Sequence, residues 1–505
     1  MMDGILTGVV TAFTMYNILM VAVGCFAGTF IGMLPGLGPI SAIALMIPIT
    51  YGMEPSSGLI LIAGVYYGAI FGGSTSSILI NAPGVAGTVA SSFDGYPMAK
   101  NGQAGKALAI AAYSSFTGGT IAAVFLLFAA PALANVSLSF QSSDYFALMV
   151  LGLTAVAAFA GKGKFLKAAI MTIFGLMLAT VGTDSDSGIA RFTFGRLDLI
   201  DGISFLLLAM AAFALSEAMM NILENHKQTK EEMDALKKDI GSLKITKEEV
   251  KEMAPTVGRS SVLGFFVGVL PGAGATIASF LAYGMERSIA SVKDKLTFGK
   301  GNVKGLAAPE SANNAACSGS FVPLLTLGIP GSGTTAIILG ALISYGIQPG
   351  PTMYVDNPAL FWSVIISMYI GNLVLLVLNL PLIPYIAKLL TIPKQLLLPL
   401  IIFFSLIGVY LVTFNNFDIY MMTGFAVVAL FLRIVDFPMA PMILGFILGG
   451  MMENNLRRAL TISDGSLSFL WERPITLSIL ILTVVLLFLP LISEYFAKMK
   501  KGKEA

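Results

Sequence analysis

"GTFIGMLPGLGPISA", residues 28–42, reads as a membrane helix interrupted in its middle. Pro35 lacks an N–H, and its ring crowds the preceding turn. Gly32, Gly36 and Gly38 beside it tolerate backbone angles that other residues avoid. The frame returns without gaps at 264–278 as "GFFVGVLPGAGATIA", identical at eight of fifteen positions. A shorter pair follows in each half. "NAPGVAGT" at 81–88 and "GIPGSGTT" at 328–335 share Pro-Gly and a threonine four residues after that glycine. The two elements come in the same order, so the chain reads as a two-fold internal repeat.

Composition says what surrounds these breaks. Of 505 residues, 56% are hydrophobic and 11% charged, against about 25% charged in soluble domains. Apolar runs at 57–80, 107–130, 146–160, 168–182, 203–222, 357–380, 396–414 and 474–494 reach or approach the roughly 20 residues that cross a bilayer. With broken helices counted, the expectation is an all-α polytopic membrane protein of about twelve transmembrane helices. The 53 glycines, 23 prolines and 26 methionines suit helices packed closely in a membrane. So apolar a chain cannot be disordered, and a net charge of +2 points to no nucleic-acid partner. Cys25 and Cys317 lie far apart in apolar segments and read as packing residues rather than a metal or redox pair. The start, "MMDGILTGVV", has no basic n-region and reads as a first span rather than a cleaved signal.

The long polar stretch 223–258 separates a first transmembrane repeat, 1–222, from a second, 259–505. Its alternating Lys and Glu read as a solvated cytoplasmic linker ended by Pro255. Lysine and arginine favour cytoplasmic loops. Lys100 and Lys106 follow the first-half "APG" element, whereas "SYGIQPGPTMYVDN" (344–357) after the second-half "IPG" element has neither residue. Equivalent loops therefore fall on opposite sides, the pattern of two inverted repeats with discontinuous, re-entrant helices. The linker lysines and the "KMKKGK" near the end also read as cytoplasmic. Arg457, Arg458 and Arg473 fit this topology only if 433–473 is re-entrant. The acidic stretch 183–202 is expected outside, as a solvated loop or a docking surface.

Unwound backbone facing lipid is expensive, so it persists only against protein or a water-filled cavity. A single proline kink is an ordinary packing feature; four breaks in two matched pairs read as a site. Each leaves a helix N-terminus near mid-membrane, with free N–H groups and the positive end of a helix dipole. Such ends bind carboxylates without a buried Arg or Lys. The spans hold almost no basic residue, so anion recognition is expected to fall to these ends. The candidate substrate residues are Pro35, Gly36, Gly38 and Ser41 at the first break, and Asn81, Pro83, Gly84 and Thr88 at the second. At the third they are Pro271, Gly272, Gly274 and Thr276, and at the fourth Pro330, Gly331, Ser332, Thr334 and Thr335.

Freed carbonyls with Asn and hydroxyl oxygens suit a hard cation such as sodium. Ser74 and Thr75, in the small polar run 72–77, and Asn313 and Asn314 are candidates for that ion, beside the ordinary role of such groups in interhelical packing. Asp94 and Glu310 are the candidate carboxylates for proton coupling, although Glu310 also suits a helix N-terminus. The single histidine, His226, lies in the linker. No buried histidine relay is then available, which favours sodium.

Longer blocks carry a resemblance. "GMLPGLGPISAIALMIPITYGMEP", "YYGAIFGGSTSSILINAPG", "FDGYPMAKNGQAGKALAIAAYSSFTGGTI", "RFTFG" after Ala190 and "PESANNAACSGSFVPLLTLGIPGSGTTAIILGAL" cover most of the chain. They resemble the large membrane subunit of the tripartite tricarboxylate transporter family (TctA-like). The stretch from Pro309 to Ala316 is similar to that family's "PE-x-ANNAA" pattern. Val85, Ala86 and Gly87 stand where relatives often carry a more polar tripeptide, a departure that bears on which substrate is carried. The resemblance implies secondary uptake of a di- or tricarboxylate across the bacterial inner membrane, coupled to sodium or protons, with no other cofactor. It implies a small TctB-like membrane subunit and a periplasmic TctC-like solute-binding protein as partners. By analogy, an elevator-like motion suits two pairs of broken helices.

Other classes fit less well. The phosphate loop G-x-x-x-x-G-K-[ST] is absent, so no nucleotide-driven pump is indicated. An intramembrane hydrolase needs a base or metal ligands, and Ser318 and Ser320 have no evident partner while H-E-x-x-H is missing. An organic-anion channel or facilitator without ion coupling is the remaining alternative.

Overall fold

The computed structural model describes residues 2–160, 163–184, 186–224, 240–392 and 394–501. His226, with residues 225–239 of the polar stretch, lies outside them. The described chain is mostly helical, with one small antiparallel pairing of Gly182–Thr183 with Ala190–Arg191. Among the described residues, seven helices are long and apolar enough to cross a membrane, and six shorter apolar helices accompany them. Gly38–Thr50 and Gly333–Ser344 are among the short ones. Each starts at a break and, at 13 and 12 residues, is shorter than the roughly 20 residues of a full span.

The breaks fall where proline and glycine predict. Helix Met15–Met33 stops at Leu34 and the chain resumes as helix Gly38–Thr50. Helix Lys247–Val269 stops at Leu270 and resumes as Gly274–Ile289. Both turns use the same conformation: Gly36 and Gly38 have φ of 94° and 61°, Gly272 and Gly274 of 80° and 60°. The other pair is also built twice. Helix Pro55–Ile80 ends on left-handed Asn81, and helix Phe321–Leu327 ends on left-handed Gly328. Asn81 N–H donates to Ser76 O, and Gly328 N–H to Pro323 O, so both ends close with the same cap.

Packing repeats as well. Gly28 and Gly32 lie directly on the carbonyls of Val65 and Ala69; Gly264 and Gly268 lie in the same way on those of Ala312 and Ala316. A β-carbon at any of these glycines would overlap a backbone oxygen. Small residues thus bring broken and unbroken helices together backbone to backbone, as membrane packing favours. Helix Pro55–Ile80 is buried along its whole length at the centre of this arrangement. One boundary differs from the sequence reading. Helix Lys247–Val269 begins inside the stretch read as a linker, closed at its start by reciprocal Thr246–Glu249 hydrogen bonds, so Pro255 sits within a helix.

Candidate functional site

All four breaks border one cavity of about 780 Å³, a size typical of small-molecule sites. Two of its walls are the complete first turns of helices, Gly38–Ser41 and Gly274–Ile277. Neither helix has a side-chain N-cap. The positive ends of both helices thus border the cavity, with no side-chain cap among the described residues on their first turns. The other two turns are closed internally. Ser332 Oγ accepts the Thr335 N–H at 3.3 Å, and Thr335 Oγ1 accepts the Ser332 N–H at 2.8 Å. At the second turn, Gly84 N–H donates to Ser76 Oγ at 3.1 Å.

Of the sequence candidates, Gly36, Gly38, Ser41, Pro83, Gly84, Gly272, Gly274, Thr276, Ser332 and Thr334 border the cavity. The remaining candidates do not line it, and most of them shape the turns. Asn81 provides the left-handed cap. Thr88 and Thr335 are fully buried, with hydroxyls donating to Val85 O and Ser332 O at 2.9 and 3.0 Å. Gly331 O accepts the Gly272 N–H at 2.9 Å, tying the fourth turn to the third. Pro35, Pro271 and Pro330 interrupt their helices next to the cavity wall without lining it.

Sequence reasoning missed the charged groups of the cavity, Arg433 and Glu217. Arg433 closes the last turn of helix Asn416–Ile434. Its Nε donates to Ser216 Oγ at 3.0 Å, Nη2 donates to Ala212 O at 2.9 Å, and Nη1 pairs with Glu217. A π-helical segment, Met210–Leu215, contains Ala212 and leads directly into Ser216 and Glu217. Such wide turns recur at functional sites because they expose backbone acceptors and re-aim side chains. The expectation that helix ends act without a basic residue is thus corrected: a guanidinium shares their cavity. Each of these charges lies within or at the end of an apolar run, and an ionisable residue there was the available signal.

The ion candidates separate into two places. Asp94 is fully buried. Its Oδ1 accepts the amides of Gly299, Gly301 and Asn302 at 2.9, 2.9 and 2.7 Å, and Oδ2 accepts the Tyr283 hydroxyl at 3.1 Å. With four donors it pins a glycine-rich loop, which argues against its carrying an exchangeable ion. Glu310, Ser74 and Thr75 meet away from the main cavity around a separate small void. Asn313 Nδ2 donates to Gly87 O at 3.3 Å and so links the second half to the second turn. Asn314 Nδ2 donates to Asn313 Oδ1 at 2.7 Å.

Two of the arginines that strained the topology reading, Arg457 and Arg473, have acidic partners. Arg457 pairs with Asp184, Asp186 and Glu453, and Arg191 with Asp184 and Glu453. Arg457 therefore lies beside the acidic 183–202 stretch, its charge neutralised there.

Comparison with known proteins agrees with this architecture. Residues 18–444 match the tripartite tricarboxylate transporter TctA family. An Agrobacterium vitis protein described as an uncharacterized 52.8 kDa protein in the TAR-I ttuC' 3' region is 43% identical over 494 residues, covering 98% of this chain and 97% of its own length. A second, described as an uncharacterized protein in the TAR-II ttuC' 3' region of the same organism, is 46% identical over 235 residues, covering 46% of this chain and 96% of its own. No solved structure matches. With broken apolar helices meeting around one cavity, and with a family match across most of its length, the chain belongs to the tripartite tricarboxylate transporter TctA family and is a multi-pass membrane protein of a transporter family.

Proposed function

We propose that this chain is the translocating subunit of a secondary uptake system for a di- or tricarboxylate, or a related organic anion, in the bacterial inner membrane. Uptake is coupled to sodium or protons. A TctC-like periplasmic protein delivers the substrate, and a TctB-like small subunit is the membrane partner. The observation that supports this is the shared cavity: two uncapped helix starts, at Gly38 and Gly274, border it together with Arg433. Two matched helix ends and a guanidinium offer separate points for more than one carboxylate, each by charge-assisted hydrogen bonds. Phe159, Phe213 and Tyr66 give the carbon skeleton an apolar wall. In this reading the halves form inverted repeats of a twelve-helix, elevator-like protein, supported by the opposite lysine content of their equivalent loops.

The test begins with a thermal-shift screen of the partner binding protein against mono-, di- and tricarboxylates. The identified anion is then followed into proteoliposomes carrying the full system. Replacing Pro35-Gly36, or Pro330-Gly331, by Ala-Ala is expected to abolish uptake while the protein remains in the membrane. Unchanged uptake by both variants would refute the site. Equilibration without accumulation under an imposed sodium or proton gradient would make the protein a facilitator instead.

A further inference from the structure

Glu310 lies outside the anion cavity, in the middle of helix Val303–Gly319, with no exposed surface. Its two carboxyl oxygens are treated differently. Oε2 accepts two hydroxyls, Ser74 Oγ and Ser115 Oγ, both at 2.8 Å. Oε1 is buried and has no hydrogen-bond partner among the described residues. An ionised carboxylate is expected to share its donors over both oxygens. One oxygen accepting twice while the other accepts nothing is the pattern of a neutral carboxylic acid, with a carbonyl oxygen and a hydroxyl.

A matching acceptor borders the same void. Asn379 is 5% exposed, and its Nδ2 donates to Leu375 O at 3.0 Å. That bond fixes the amide orientation and leaves Oδ1 as the acceptor; Oδ1 too is buried without a partner. Glu310 and Asn379 both line a void of about 10 Å³. That volume is at the lower edge of what holds a single water. Ser91 Oγ, buried and itself without a partner, also faces Glu310, but a hydroxyl accepts as readily as it donates. The two acceptors still leave room for one proton donor, whereas a hard cation would require about six oxygen ligands. One proton on Oε1 would give both orphans a partner.

The geometry points to a proton-binding site formed by Glu310 and Asn379 within the membrane region, separate from the anion cavity. Binding forms one O–H bond on Glu310 Oε1 and cancels the carboxylate's charge, and the hydroxyl donates to Asn379 Oδ1. Release returns the proton to water and leaves an anion stabilised by Ser74 and Ser115. Around the void, helices Pro55–Ile80, Ala104–Ser137 and Pro358–Asn379 contribute no charged or titratable side chain. Two carboxylates of other helices packed on Val303–Gly319 are engaged elsewhere, Asp94 with the Gly299–Asn302 amides and Glu286 with Arg259 and Thr256. The site's role as the coupling ion's seat rests on the uptake reading above; its existence does not.

The test is infrared spectroscopy of the purified full chain in lipid nanodiscs at neutral pH, which needs no substrate. The expected result is a protonated-carboxyl C=O band that is missing in Glu310→Gln and unaffected by replacing potassium with sodium. In Asn379→Leu, which keeps Glu310 itself, the band should move to higher frequency as the acceptor is lost. A spectrum in which E310Q removes no such band, or a band that sodium abolishes, overturns the proposal. Neither result touches the anion-cavity reading.

Discussion

At the scale of single residues, two glycines of the breaks separate packing from backbone conformation. A β-carbon on Gly84 would overlap the carbonyl oxygen of Gly32, which is backbone and cannot turn aside. At Gly38 the nearest atom to such a carbon is Gly84 O, an ordinary 3.8 Å away, but φ is 61°. Gly84→Ala is therefore expected to cost about 1–3 kcal/mol through overpacking, and Gly38→Ala about 1–2 kcal/mol through left-handed strain alone. Thermal unfolding in detergent should rank the two in that order, and equal melting temperatures would contradict the close approach of the two turns. Arg433 gives a sharper case. Removing its charge leaves Glu217 in the cavity without that partner, so Arg433→Gln is expected to lower both stability and uptake. Pairing it with Glu217→Gln should restore stability, since the carboxylate that lost its guanidinium is neutralised as well, but should not restore uptake. Recovery of transport in the double variant would make Arg433 a purely structural residue. Lysine in its place should fall short, because one ammonium cannot reproduce a planar fork that bonds Ser216, Glu217 and Ala212 together.

At the scale of elements, the four helix starts differ in how their amides are satisfied. The helix at Gly333 carries its own capping box, whereas those at Gly38 and Gly274 have none. A bound carboxylate should therefore slow hydrogen exchange at Ile40–Ser41 and Gly274–Ile277 and leave Gly333–Thr335 unchanged. Protection confined to the capped turn would show that the anion sits elsewhere. Ser332→Ala should destabilise the fourth turn by about 1 kcal/mol, seen as faster exchange over 333–336. The breaks themselves were legible because proline and glycine carry a turn in their own chemistry, and the repeat confirmed them at four places. Capping was less so: Ser332 and Ser41 both stand near a helix start, yet Ser41 Oγ donates to Phe213 O at 3.2 Å rather than capping its own helix. Arg433 and Glu310 were harder still. Each takes its meaning from a group more than sixty residues away, Glu217 paired with Arg433 and Asn379 across the void from Glu310. A linear reading finds the residue type but not the facing group.

At the scale of the whole molecule, loop charge suggested which stretches share a side, and the ion pairs show where that rule loses force. Arginines weigh on topology as free positive charges, but Arg457 is matched by Asp184, Asp186 and Glu453, and Arg473 by Asp144. The pairing fastens the short hairpin around Gly182–Arg191 onto helix Ala440–Ile462. Asp184 is the centre of this attachment. The Ser187 amide and the Arg457 guanidinium, with the Asp186 amide, hold its carboxyl well below the usual carboxylate range. A depressed folded-state value means the stabilisation is fully present above the free aspartate value of about 3.9 and fades as pH falls through the folded one. The hairpin is thus expected to stay fastened from neutral pH down to about 4, and to release only in stronger acid. Arg457→Glu should release it at neutral pH, because it puts a fourth carboxylate beside three. Hydrogen exchange over 182–202, followed from neutral to acid in both proteins, checks this. Release of the native hairpin already near pH 6 would mean that Asp184 does not anchor it.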